Sequence, residues 1–145
     1  MDKKDVNRAP EALILMPRQG AVQEAGDIAR KFFGKAKKQW KKKFGEPVSE
    51  VDIKINQFLK KKLLKKDSEY GWLSEETPDS NDRLRKRKIW VVDPIDGTRA
   101  YLKNKPEYSI SVALLLDNEP VIGVVSNPQT GEFFHALSGL SLIHI

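Results

Sequence analysis

The stretch that most constrains the fold is Ile89-Trp90-Val91-Val92-Asp93-Pro94-Ile95-Asp96-Gly97-Thr98. Its first half is a short apolar run rich in β-branched residues, which reads as a buried strand. The run stops at a carboxylate. Pro94 fixes φ and offers no N–H to a ladder, so the strand is expected to end there. A second carboxylate, Asp96, follows three residues after Asp93. Gly97 and Thr98 then open Arg99-Ala100-Tyr101-Leu102-Lys103, read as a short helix with Asp96 near its N-cap. A turn of this kind brings both carboxylates and the Ile95 carbonyl to one side. Hard oxygens at the mouth of a sheet, beside helix-start N–H groups, suit a divalent cation holding a phosphate. The plainer account of the same residues is Asp96 as a cap and Asp93 as a turn residue.

The rest of the chain reads as an α+β domain, with helices first and strands later. Pro17 to Phe33 is expected to be helical, with Ala21, Ala25, Ile28 and Phe32 on one stripe and Gly34 as the stop. Lys35 to Lys43 is a basic run around Trp40, read as a solvated helix end or loop. Gly45-Glu46-Pro47 breaks the chain. Ser49-Glu50-Val51-Asp52 then resembles a capping box opening a second helix to about Lys66, with Val51, Ile55, Phe58, Leu59 and Leu63 as its apolar stripe. Tyr70 to Ser74 reads as a short strand ending in Glu75 and Glu76, and Asp79 to Lys88 as an exposed connection. After the central stretch, Tyr108 to Leu116, Val121 to Val125 and Glu132 to Ala136 read as strands joined by short turns, an antiparallel meander. Neither His135 nor His144 is assigned to catalysis.

Charge matters because 26 Lys and Arg against 20 Asp and Glu leave a net +6, much of it between Lys35 and Lys66. Such a surface attracts anions, including phosphorylated metabolites and nucleic acid. A single aromatic within the lysine run is a poor nucleic-acid signal, since no second ring is spaced for an adjacent base. A basic nucleic-acid module remains the competing class, yet it leaves the Asp-Pro-Ile-Asp-Gly-Thr arrangement without a purpose. The chain has no cysteine, which excludes disulfides and thiolate metal sites. It has no apolar stretch of membrane-spanning length and no signal-peptide h-region, so a soluble cytoplasmic protein is expected.

Trp90-Val91-Val92-Asp93-Pro94-Ile95-Asp96-Gly97-Thr98 resembles the signature of the inositol monophosphatase superfamily, which are metal-dependent, lithium-sensitive phosphomonoesterases of small molecules. The resemblance runs from about Ala21 to Ala136. It implies the N-terminal αβ layer of a layered αβαβα sugar-phosphatase fold, with two helices packed on a largely antiparallel sheet and the C-terminal layer missing. It implies magnesium, with manganese as an alternative, held by Glu75, Asp93, Asp96 and the Ile95 carbonyl, with Glu76 as a weaker candidate for supporting those ligands. Pro47-Val48-Ser49-Glu50-Val51-Asp52 is similar to a Val-Thr-x-x-Asp motif, with Ser49 where Thr is usual. Asp52 would then act with Thr98 in orienting the attacking water, a role compatible with capping. The backbone N–H groups of Gly97 and Thr98 would cradle phosphate.

Arg99 after the Gly-Thr pair, together with Gly71-Trp72-Leu73-Ser74-Glu75-Glu76-Thr77, is more like bacterial 3'(2'),5'-bisphosphate nucleotidases, which convert adenosine 3',5'-bisphosphate to AMP and phosphate. Inositol-1-phosphate is the alternative substrate and histidinol phosphate the third. The resemblance covers about half of a superfamily protein; a further metal-ligating Asp would lie in the other half. The chain as it stands is therefore expected to be inactive, and the full-length protein to form a homodimer as relatives often do. Residues 1–16 read as a polar lead-in and 17–139 as the αβ domain. Leu140-Ser141-Leu142-Ile143-His144-Ile145 matches one reading frame of a transposase end used in sequencing libraries, so 140–145 are expected to be a non-native, adaptor-derived tail.

Overall fold

The computed structural model describes residues 19–64, 69–138 and 143–144. The lead-in expected over 1–16, the helix start at Pro17 and residues 140–142 and 145 lie outside them. The chain begins with helix α1 (Gln19–Phe32) and a two-stranded ribbon of β1 (Gln39–Lys41) and β2 (Pro47–Ser49). Helix α2 (Glu50–Leu64) follows β2 directly. Strands β3 (Tyr70–Ser74), β4 (Lys88–Asp96), β5 (Ser109–Leu116), β6 (Glu119–Asn127), β7 (Glu132–Leu137) and β8 (Ile143–His144) form one sheet in that order, with a short helix α3 (Thr98–Leu102) between β4 and β5. A 3-10 turn, Asp82–Arg85, lies in the connection from β3 to β4.

The sheet is antiparallel throughout except for β3, which runs parallel to β4. The register pairs Ser74 with Val92, and the Glu75 N–H donates to the Val92 carbonyl at 3.2 Å. Parallel neighbours end at the same edge of a sheet. The Glu75–Glu76 pair and the Asp93–Asp96 pair are therefore delivered to one place by pairing alone.

The helices cover one face. Strict alternation along β5 buries Ile110, Val112, Leu114 and Leu116. Against them pack Val22, Ala25 and Ala29 of α1 and Val51, Ile55, Leu59 and Leu63 of α2. The buried stripe of α1 is turned by one position from the expected one: Val22 and Ala29 are buried, while Ala21, Ile28 and Phe32 sit at its margin. The stripe of α2 is as read, with Phe58 at the margin.

Three expectations are corrected. Lys35 to Lys43 is not wholly a loop or helix end, because Gln39–Lys41 forms β1 of a hairpin with β2. The three residues of β1 all face solvent, so no alternation marked it, whereas Val48 and Ser49 of β2 are buried. The central strand does not end at Pro94. Its pairing with β5 slips between Asp93 and Asp96 and resumes at Asp96 opposite Ser109. A bulge absorbs the missing proline N–H, as bulges permit. Asp96 is not the cap of α3; that position belongs to Gly97, in the left-handed region at φ 92°, without a side-chain cap.

Candidate active site

The site is built from three backbone events: the end of β3, the bulge of β4, and the junction of β2 with α2. At that junction Ser49 and Asp52 cap each other. The Ser49 hydroxyl accepts from the N–H of Val51 (3.2 Å) and of Asp52 (3.4 Å). Asp52 Oδ2 accepts from the Ser49 N–H at 2.8 Å and from its hydroxyl at 2.6 Å. This is a reciprocal capping box with Asp in the acidic position. Asp52 is fully buried, and its other oxygen, Oδ1, accepts from the Thr98 hydroxyl at 2.8 Å. The Ile95 carbonyl lies 3.2 Å from the same hydroxyl. One proton serves one acceptor, and the nearer, charged Asp52 oxygen takes it. The lone pairs of the Thr98 oxygen are left for a water O–H.

A cleft of about 280 Å³ opens above this pair. Glu75, Glu76, Asp93, Ile95, Asp96, Gly97 and Thr98 line it, with Lys42, Glu46 and Pro47 from the hairpin and Arg99 from α3. Asp52 lies beneath and does not line it. Burial pushes the Asp93 carboxyl up to about 7, helped by the negative charges of Asp96, Glu75, Glu76 and Asp52. Among the described residues no group of three acidic side chains stands close enough to share one metal ion. The raised Asp93 carboxyl reflects its burial first and repulsion from the neighbouring carboxylates second. The donor set is all oxygen and carries excess negative charge, which fits a hard divalent cation.

Two further features escaped the sequence reading. Lys42 donates to Glu76 Oε1 at 2.6 Å and to the Glu75 carbonyl at 3.3 Å, fastening the hairpin to the end of β3. Burial raises the Glu76 carboxyl even against this partner. Asn56 of α2 accepts from the Ser74 hydroxyl at 2.5 Å and donates to the Thr77 hydroxyl at 2.8 Å, and Trp72 Nε1 donates to the same hydroxyl at 3.2 Å. These contacts hold the turn that carries Glu75 and Glu76. Asn56 sits on the buried face of an apolar stripe, and that was the one available signal for it.

The α3 side of the cleft is pinned from below. Tyr101 is fully buried, donates to the Ala29 carbonyl at 2.8 Å, and meets Tyr108 edge-on at 4.8 Å between ring centres. His135 is buried in β7, away from the cleft lining.

A family model described as the inositol monophosphatase family matches residues 14–143. The chain is 33% identical over 120 residues to a 3'(2'),5'-bisphosphate nucleotidase, CysQ, of Aggregatibacter actinomycetemcomitans, a match covering 81% of this chain and 45% of that protein. It is 31% identical over 121 residues to inositol monophosphatase 3 of Solanum lycopersicum, covering 82% of this chain and 45% of that protein. The chain thus spans about half the length of the curated relatives it matches. Its fold superposes on the extragenic suppressor protein SuhB of Bartonella henselae with a TM-score of 0.83 at 27% identity, over 90% of this chain and 52% of that one.

Proposed function

The chain belongs to the inositol monophosphatase family, and from that membership we propose that it is part of a magnesium-dependent hydrolase of phosphate monoesters on small metabolites. The observation that carries the reading is the Thr98–Asp52 contact set beneath a cleft walled by Glu75, Asp93 and Asp96. Glu75, Asp93, Asp96 and the Ile95 carbonyl would hold magnesium, or manganese. When bound, the cation supplies positive charge to offset the phosphate and lowers the pKa of water.

The chain's own residues supply the rest. The Thr98 hydroxyl, its proton committed to Asp52, accepts a hydrogen bond from the attacking water and so fixes the direction of its lone pair. Asp52 keeps Thr98 in that state because Ser49 satisfies its second oxygen. The Gly97 and Thr98 N–H groups, on residues that line the cleft, would serve as donors to phosphate oxygens.

The first substrate reading is a 3'(2'),5'-bisphosphate nucleotide such as adenosine 3',5'-bisphosphate, supported by likeness to the Aggregatibacter nucleotidase. The second is inositol-1-phosphate, supported by the tomato relative at nearly the same identity. Phosphate release from both substrates by the full-length gene product decides between them, measured with magnesium, with and without lithium. Asp93→Asn is expected to lower turnover on the order of a hundredfold or more while the protein stays folded. A folded Asp93→Asn protein with unchanged turnover would overturn the ligand assignment.

A further inference from the structure

One side chain of α2 grips both ends of the acidic turn. Asn56 lies four residues after Asp52 and shares its buried face of the helix. Its Oδ1 accepts from the Ser74 hydroxyl at 2.5 Å, and its Nδ2 donates to the Thr77 hydroxyl at 2.8 Å. A primary amide has an acceptor at one end and donors at the other, so a single residue serves both hydroxyls. Glu75 and Glu76 stand between them. The Ser74 hydroxyl also accepts from the Glu76 N–H at 3.2 Å, and the Thr77 N–H donates to the Ser74 carbonyl at 3.3 Å, which closes the turn.

Asn56 is 6% exposed and does not line the cleft, so its influence there passes through the turn. Glu75, by contrast, is exposed, and among the described residues no hydrogen bond or ion pair holds its carboxylate. Its reach into the cleft is set by its backbone. That backbone is tied on the buried side by Asn56 and on the open side by Lys42. Salt screens the partly exposed lysine contact and leaves the buried amide contacts largely untouched. We propose that Asn56 is a positioning residue for the divalent-cation site, holding Glu75 where it can serve as a ligand, as Asp52 one helical turn earlier holds Thr98. One face of α2 then aligns both halves of the cleft. This rests on the hydrolase reading of the site, and the test separates the two.

Manganese is the probe, titrated by calorimetry into the full-length gene product. Asn56→Leu is expected to weaken binding about tenfold, at low and at high salt alike. Thr77→Val removes the hydroxyl that Asn56 and Trp72 share and should weaken binding in the same direction, whereas Thr77→Ser keeps that hydroxyl and should bind as wild type does. In Asn56→Leu the magnesium concentration for half-maximal phosphate release should rise by the same factor, with the plateau rate restored at high magnesium. A merely structural role would lower stability in urea and leave the dissociation constant of the folded protein unchanged. Unchanged manganese binding by folded Asn56→Leu therefore overturns the proposal. If Asn56→Leu does not fold, equal binding by Thr77→Val and Thr77→Ser overturns it instead. A plateau that excess magnesium fails to restore also overturns it, because Asn56 would then act on something other than the cation's ligand. A wild-type protein that releases phosphate from neither adenosine 3',5'-bisphosphate nor inositol-1-phosphate, yet binds manganese in an Asn56-dependent way, refutes the hydrolase reading and leaves the Asn56 assignment standing.

Discussion

Asp52 divides its oxygens between two tasks, the cap of α2 through Oδ2 and the orientation of Thr98 through Oδ1. The first task was legible from Ser49-x-x-Asp52 and the second only by resemblance, because the 46 residues between Asp52 and Thr98 are bridged by packing rather than by a local pattern. Lys42 was not legible at all. One lysine in a run of them carries no mark of the carboxylate it will meet. Asp93 yields a pH prediction. Its carboxyl is raised from 3.8 to about 7 by burial and by neighbouring carboxylates, so the folded chain holds that proton more tightly than the unfolded one. The resulting stabilisation is complete below the unfolded pKa of about 4 and is lost as pH rises through about 7. Urea denaturation in a metal chelator across that window should show wild type losing stability relative to Asp93→Asn. Parallel pH curves for the two proteins would refute this origin of the shift.

At the scale of elements, the bulge of β4 and the turn into α3 carry the site. Gly97 is needed there twice over. Its φ of 92° disfavours any side chain, and a Cβ would stand 2.8 Å from the Glu107 carbonyl oxygen. Gly97→Ala is expected to cost about 2 to 3 kcal/mol in urea denaturation. A loss below about 0.5 kcal/mol would mean that the turn relaxes freely. The apolar strands and α2 were readable because burial on one face imposes a period of two or of 3.6. The β1–β2 hairpin was not, since β1 buries nothing. Nor was the course of β4 past Pro94, because a bulge is a matter of pairing with β5 and leaves no local signature beyond the proline.

For the whole molecule, one pairing decision produces the site. Placing β3 parallel to β4, at the sheet edge opposite the meander, brings residues 75 and 76 beside residues 93 and 96. Strand order is a long-range property, and the residues alone gave the elements without that neighbour. Family membership accounts for the arrangement, and the proposal that the cleft takes a divalent cation rests on the acidic residues that line it. No helix among the described residues is long and apolar enough to cross a membrane. The most direct test of the central claim is a calorimetric titration of this chain with manganese in buffers of differing ionisation enthalpy at neutral pH. The account predicts binding accompanied by proton release, as Asp93 gives up its proton to the cation, and at least about tenfold weaker binding with no such release in Asp93→Asn. Manganese binding of equal strength and equal proton release in the two proteins, or no binding by either, would contradict it.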